Sequence, residues 1–269
     1  MDSLELKPWE ILARLRRQQP LVHHLTNWVT IYDCAQVVKV LGGSPVMAHA
    51  ALEVRQMARL AAALVLNIGT LTPDFVSAMI LAAREANAKG IPVVLDVCGA
   101  GATPLRDESS LRLLDEAHID IIKGNASEIA RVSGLAIQTK GVDATEVQAD
   151  LKEVAQGLAR ERQAVVVITG ASDIVADAAR LFIVHNGHPL MGHVVGTGCM
   201  ATSIIGAFAA VEPDLAKAAA GALACFGMAA EVAALQAAGP GSFKERLFDA
   251  LYNLDEATLG ERLRLEAVS

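Results

Sequence analysis

The chain has 269 residues, 53 % of them hydrophobic and 20 % charged, a balance that can bury a sizeable core and excludes a disordered segment. With 23 Lys and Arg against 30 Asp and Glu the net charge is -7, so the basic footprint of a phosphate-backbone binder is missing and no nucleic-acid partner is expected. Aromatic residues make up only 4 %, too few for a platform that stacks bases.

The first ten residues, Met1 to Glu10, carry acidic side chains and lack the basic-then-apolar pattern of an export signal. Further along, short β-rich runs alternate with helical stretches. Leu64 to Ile68 precedes a helix from Pro73, Pro92 to Asp96 precedes a helix near Ser109, and Ile119 to Ile122 precedes a helix at Asn125. Apart from Asp120 the strand interiors are apolar, which predicts a mostly parallel sheet with helices on both faces and ligands at the carboxyl ends of the strands. A polar helix is predicted over Ala149 to Arg160. A second β-rich block then covers Ala164 to Thr169, Ile174 to Ala176 and Leu181 to His185, with a turn at Asn186-Gly187 leading to Pro189-Leu190-Met191. The sheet is expected to become antiparallel there.

After Gly198 the pattern reads wholly helical, beginning with Met200 to Ala210. Ala218 to Ala238 approaches a membrane span in length, but Glu231 and Gln236 within it favour a buried, Ala-rich core helix, and no membrane partner is expected. The Gly239-Pro240-Gly241-Ser242 break starts another helix, with Ser242 and Glu245 at capping-box spacing. The whole is read as one α/β domain over residues 1–269.

Val195-Gly196-Thr197-Gly198-Cys199 is the sharpest chemical feature. A glycine-rich turn at a helix start leaves free N–H groups and a positive dipole end facing outward, which makes an anion hole; an ordinary glycine turn fits the same spacing. Cys199 is then either a thiol of lowered pKa or a small buried hydrophobe. The four cysteines, Cys34, Cys98, Cys199 and Cys225, lie far apart with no C-x-x-C, so neither zinc nor a disulfide framework is signalled and a reducing, cytoplasmic compartment is expected. Asp96 ends one strand ahead of Gly99-Ala100-Gly101-Ala102-Thr103-Pro104, and Lys123-Gly124-Asn125-Ala126-Ser127-Glu128 ends the next. Two acids and a lysine at consecutive strand ends are parts that hold Mg2+ and polyphosphate, although Asn125 with Glu128 is equally a helix cap. Thr169-Gly170 offers a hydroxyl and a close backbone approach to a nucleotide, or is a plain turn. His23, His24, His49, His118, His185, His188 and His193 lack metal-ligand spacing and read as solvated or structural.

Taken in order, Leu21-Val22-His23 with Thr26-Asn27, Gly43 to Ala48, Leu66 to Thr70, Asp96 with Gly99 to Thr103, Gly124 to Glu128, Ile168-Thr169-Gly170 and Gly196 to Cys199 resemble the hydroxyethylthiazole kinases, from about Leu21 to Phe243. The resemblance implies a three-layer ribokinase-like fold and a homotrimer with active sites at subunit interfaces. It also implies ATP-dependent, Mg2+-assisted phosphorylation of the primary alcohol of 4-methyl-5-(2-hydroxyethyl)thiazole in thiamine salvage. By the same resemblance Met47 and Gly196 contact the thiazole, and Asn27, Val29, Gly69 and Thr70 line its pocket. Lys123, Thr169, Asn125, Thr197 and Gly198 fall on the ATP side, Asp96 and Glu128 on the metal, and Cys199 beside the substrate hydroxyl. Two departures stand out: Val97-Cys98 replaces the family's usual Pro-Val, and Lys123 replaces a common Arg, losing the planar bidentate fork.

Phosphoryl transfer to an alcohol depends on alignment and charge neutralisation more than on a strong base, so Cys199 is expected to orient the alcohol or accept its proton late. A hydroxymethylpyrimidine-type or nicotinamide-repair kinase, and a thiazole or nucleotide binder without catalysis, are the alternatives on the same residues.

Overall fold

Because the central strands are apolar on both faces, alternate residues enter different cores. Those cores assemble in the computed structural model, which describes residues 5–134 and 151–268. The chain opens with α1 (Pro8–Gln18), β1 (Leu21–Leu25), α2 (Ile31–Val40), β2 (Ser44–Val46) and α3 (Val54–Leu60). The βα repeat follows: β3 (Ala63–Asn67), α4 (Pro73–Lys89), β4 (Val93–Asp96), α5 (Pro104–Glu116), β5 (Ile121–Asn125) and α6 (Ala126–Val132). Then come α7 (Leu151–Arg162), β6 (Val165–Thr169), β7 (Asp173–Ala176) and β8 (Leu181–Val184). The chain closes with α8 (Thr197–Ala209), α9 (Leu215–Ala234), α10 (Pro240–Asn253), α11 (Glu256–Arg262) and β9 (Leu265–Val268).

The strands form a nine-stranded sheet in the order β2-β1-β3-β4-β5-β6-β7-β8-β9. It is parallel through β6 and antiparallel from β6 to β9, as the sequence predicts for its second half. On one face Val22, Val65, Val94 and Ile121 pack with residues of α1, α2, α8, α9 and α10. On the other, Leu64, Leu66, Leu95 and Ile122 pack with α4, α5, α6 and α7. The result is three layers, and α9, the long apolar helix, is core: 78 % of its most apolar stretch is buried.

Several boundaries move. The helix expected near Ser109 starts at Pro104, where the Thr103 side chain caps it. The helix expected over Ala149 to Arg160 runs Leu151–Arg162; Ala149 and Asp150 lie outside the described residues. Pro189 to Met191 is no strand: Pro189 opens a 3-10 turn to His193, which the His188 ring caps at Leu190 N. The wholly helical tail is corrected too, since β9 adds to the sheet edge. Ser242 and Glu245 make no capping box; Gly239 is the N-cap of α10, and the Ser242 hydroxyl instead accepts from Ala238 N (3.0 Å).

Candidate active site

Parallel pairing sets strand-end residues side by side. Asn67 pairs with Asp96 and Asp96 with Lys123, so an amide, a carboxylate and an ammonium form a buried row across β3, β4 and β5. Asp96 Oδ2 accepts from Asn67 Nδ2 (3.0 Å), Lys123 Nζ (3.3 Å) and, from the overlying helix α8, Thr202 Oγ1 (2.7 Å). Its Oδ1 is equally buried and has no partner. A buried carboxylate oxygen left unsatisfied is costly, and among the described residues none satisfies this one. Burial works against the Lys123 charge, but Asp96 and Glu128 outweigh it and hold the ammonium protonated, its pKa above the ordinary value.

Glu128 Oε2 accepts from Asn125 N (2.7 Å) while Asn125 Oδ1 accepts from Glu128 N (2.9 Å), the capping box of α6. The cap does not exhaust the acid: Oε1 accepts from Gly99 N (2.7 Å) and ties down the loop after β4. Burial, then Asp96, raise its carboxyl pKa against Lys123 and the two backbone donors.

The first turn of α8 closes the row from above. Gly196 has φ 91°, and a Cβ there would lie 2.3 Å from Thr30 Cγ2, so only glycine fits. A Cβ on Gly198 would lie 3.1 Å from Lys123 Nζ, which sets the ammonium against the positive end of α8. Two positive groups converging on one spot favour an anion between them.

Cys199 Sγ receives hydrogen bonds from Asn27 Nδ2 (3.2 Å) and Asn67 Nδ2 (3.3 Å). Its thiol pKa is pushed down to about 7, first by a hydrogen bond with Cys98, then, against burial and Asp96, by Lys123 and Thr30. Cys98 is pushed up by the same contact and by burial, and burial raises Cys34 to about 11, so Cys199 alone of these three is poised to ionise. Asn27 is fixed by its own carbonyl, which accepts from Val29 N, Thr30 N and Thr30 Oγ1, each at 3.1 Å. Gly69 N donates to Asn67 Oδ1 (2.8 Å) and Trp28 N to Thr70 Oγ1 (3.0 Å), joining the loops after β1 and β3.

A cavity of 510 Å³ opens beside the row, lined by Thr169, Gly170, Asp173, Asn186, Thr197 and Gly198 among others. That volume suits a nucleotide-sized ligand. The Thr197 hydroxyl is spent on Met191 O (3.0 Å), and that of Thr169 on Gly124 O at 3.4 Å. Lys123 and Asn125 do not line the cavity and belong to the strand ends. Val29, 68 % exposed, and Met47, half-buried on the loop after β2, are not enclosed within one chain. Among the described residues no cluster of three or more His, Cys, Asp or Glu forms a metal cage. Burial lowers the pKa of His23 and His24, which bond Ala48 O (2.7 Å) and Val22 O (3.0 Å) and act structurally.

Sequence reasoning did not single out Asn67 and Thr202. Asn67 carried a signal, a polar end to an apolar strand matching Asp96 on the next. Thr202 carried none, because its role needs the packing of α8 onto β4.

The profile of the Hydroxyethylthiazole kinase family matches residues 12–257. The hydroxyethylthiazole kinase of Methanosarcina mazei is 51 % identical over 255 residues, covering 95 % of this chain and 98 % of that protein. The solved structure of the hydroxyethylthiazole kinase protein from Pyrococcus horikoshii OT3 superposes with a TM-score of 0.89 at 40 % identity, over 97 % of this chain and 99 % of that one. A ribokinase-like superfamily protein from Enterococcus faecalis V583, 14 % identical, matches with a TM-score of 0.64 over 91 % of this chain and 89 % of its own, which shows the shared fold.

Proposed function

The chain belongs to the hydroxyethylthiazole kinase family and phosphorylates the hydroxyethyl alcohol of the thiazole in thiamine salvage; from that premise we propose that transfer takes place between the Asn67-Asp96-Lys123 row and the first turn of α8. The observation that carries this reading is Asp96 Oδ1, a buried carboxylate oxygen without a partner beside the Lys123 ammonium. Mg2+ binds through one or two carboxylates and fills its shell with phosphate and water, so this donor set fits it, with Asp96 as ligand and Glu128 next to it. Bound there, the cation neutralises phosphate charge.

The chain's own groups do the rest. Lys123 and the N–H groups of Gly196, Thr197 and Gly198 receive the migrating phosphoryl group, and the cavity lined by Thr169 takes ATP, with Asn125 on the neighbouring strand end. Asn27 and Asn67 aim Cys199 Sγ, which orients the alcohol or takes its proton late. A loose transition state asks little of a base, so a thiol near pKa 7 is enough. Met47, Val29, Gly69 and Thr70 form the thiazole side. The exposure of Val29 with Tyr32 (72 %) and Leu52 (96 %) supports a homotrimer in which a second copy closes this pocket.

The test is ADP release with ATP, Mg2+ and hydroxyethylthiazole, beside hydroxymethylpyrimidine and acceptor-free controls, with phosphorus NMR of the product. Thiazole-dependent release and a new phosphomonoester are expected. Thiazole binding without turnover would sink the reading.

A further inference from the structure

Arg106, in the first turn of α5, spends its guanidinium on main-chain oxygens of two separate loops. Nη1 donates to Ile68 O (3.0 Å) and Cys98 O (2.8 Å), and Nη2 to Gly69 O (2.8 Å). Among the described residues no carboxylate pairs with it, so these carbonyls are its identified partners. The approach is close enough to constrain the sequence: Gly99 has φ 78°, and a Cβ there would lie 2.9 Å from Nη1. A planar fork can hold two carbonyl directions at once, which an ammonium on a flexible stem cannot.

Each bridged loop leads to the reacting centre by a short chain of hydrogen bonds. Gly69 N bonds Asn67 Oδ1, and Asn67 Nδ2 bonds both Cys199 Sγ and Asp96 Oδ2. On the other loop Gly99, next to Cys98, donates to Glu128 Oε1. The guanidinium therefore sets the span between the loop carrying Gly69 and Thr70 and the loop that follows Asp96 and is held by Glu128. We propose that Arg106 is a positioning residue for phosphoryl transfer, holding the acceptor loop at a fixed distance from the metal-and-phosphate loop. The inference rests on the reading of the site given above. It matters because reacting atoms must approach to about 3–3.5 Å, and a misplacement of about 1 Å costs about a hundredfold in rate.

The experiment compares wild type, Arg106→Ala and Arg106→Lys by steady-state kinetics, binding of a non-hydrolysable ATP analogue, and thermal unfolding. Arg106→Ala is expected to lose about a hundredfold in kcat and to raise KM for the thiazole, with the analogue's Kd within about twofold of wild type. Added methylguanidinium at millimolar concentration restores part of kcat to Arg106→Ala and none to Asp96→Asn. Should Arg106→Ala fail to fold, Arg106→Lys serves, since one ammonium can still tie one loop; about tenfold loss in kcat with unchanged analogue binding is expected. Wild-type kcat in a folded variant would overturn the inference, as would loss without guanidinium rescue, or loss matched by weakened nucleotide binding, because a merely structural role predicts those. Absence of thiazole-dependent turnover in the wild type, measured in parallel, overturns the functional reading itself and the inference with it.

Discussion

In the role proposed for it, orienting an alcohol or taking its proton late, Cys199 is a weak group whose surroundings compensate. The Cys98 contact, with the nearby Lys123 and Thr30, outweighs burial and Asp96 and brings the thiol to about pKa 7, so a large share is ionised at neutral pH. Because the value is lowered from 9.0, thiolate accumulates two units earlier on the pH scale, and kcat/KM should rise through about pH 7. Cys199→Ala is expected to flatten that limb and lower kcat by about tenfold, whereas Cys199→Asp keeps or raises turnover. A folded, thiazole-binding Asp variant without turnover would refute the role. At this scale the sequence held much of the site. Of the residues that the resemblance singles out, Lys123 meets Asp96 and Asn27 meets Cys199 in the fold. At Asn125 and Glu128 the capping half of the choice is present, and the same carboxylate also holds the loop after β4: it caps α6 through one oxygen and accepts from Gly99 with the other. No spacing rule expresses two simultaneous roles.

The elements differ in how plainly they announce themselves. Strands β3 to β8 were legible because five or so apolar residues between turn signals have few other fates in an α/β chain. The amino-terminal part was not: β1 carries two buried histidines, and β2 is three residues with a proline at the sheet edge. β9 was hidden because it is short and half-exposed, so it shows little apolar excess. Helix α9 shows what its start requires. Asp214 Oδ1 accepts from Lys217 N (3.2 Å), and Arg180 grips the same carboxylate at 2.6 and 2.9 Å. Burial acts to raise the Asp214 pKa, but Arg180 and the cap outweigh it and hold the group below its ordinary value. The folded state therefore takes up its proton less readily than the unfolded chain, so the cap's stabilisation is complete above about pH 4 and is lost as pH falls through the folded value. Asp214→Ala should cost about 1–2 kcal/mol, or about 2–4 °C in Tm per kcal/mol, with the gap to wild type narrowing at pH 3. Equal melting at pH 7 would show that the cap contributes nothing.

For the molecule as a whole, the βα alternation made the three-layer fold legible, whereas assembly was implied by the family resemblance and by no residue pattern. The Ala-rich pattern that marks a tightly packed interface also marks a core helix, and α9 proves to be core. A sign of a partner is visible only once folded: Trp28, Val29, Tyr32 and Leu52 are large apolar side chains left exposed. The homotrimer proposed from the family resemblance predicts that light scattering after size exclusion gives three times the 28.2 kDa chain. Val29→Asp with Tyr32→Asp should yield single chains that bind the ATP analogue yet have lost thiazole turnover; a fully active monomer would refute the shared pocket.

The reversal of strand direction after β6 also distributes the chemistry unevenly along the gene product. Acceptor and carboxylate groups are scattered from Asn27 to Glu128, one or two per parallel strand, because each crossover returns the chain to the same rim only once. The cavity wall, by contrast, comes largely from one stretch, Thr169 to Gly198, since antiparallel hairpins revisit that rim within a few residues. The two sets are stitched together by α8, whose Cys199 and Thr202 reach back to Asn27, Asn67 and Asp96, so a chain divided between Glu128 and Val165 would hold neither half of the site complete.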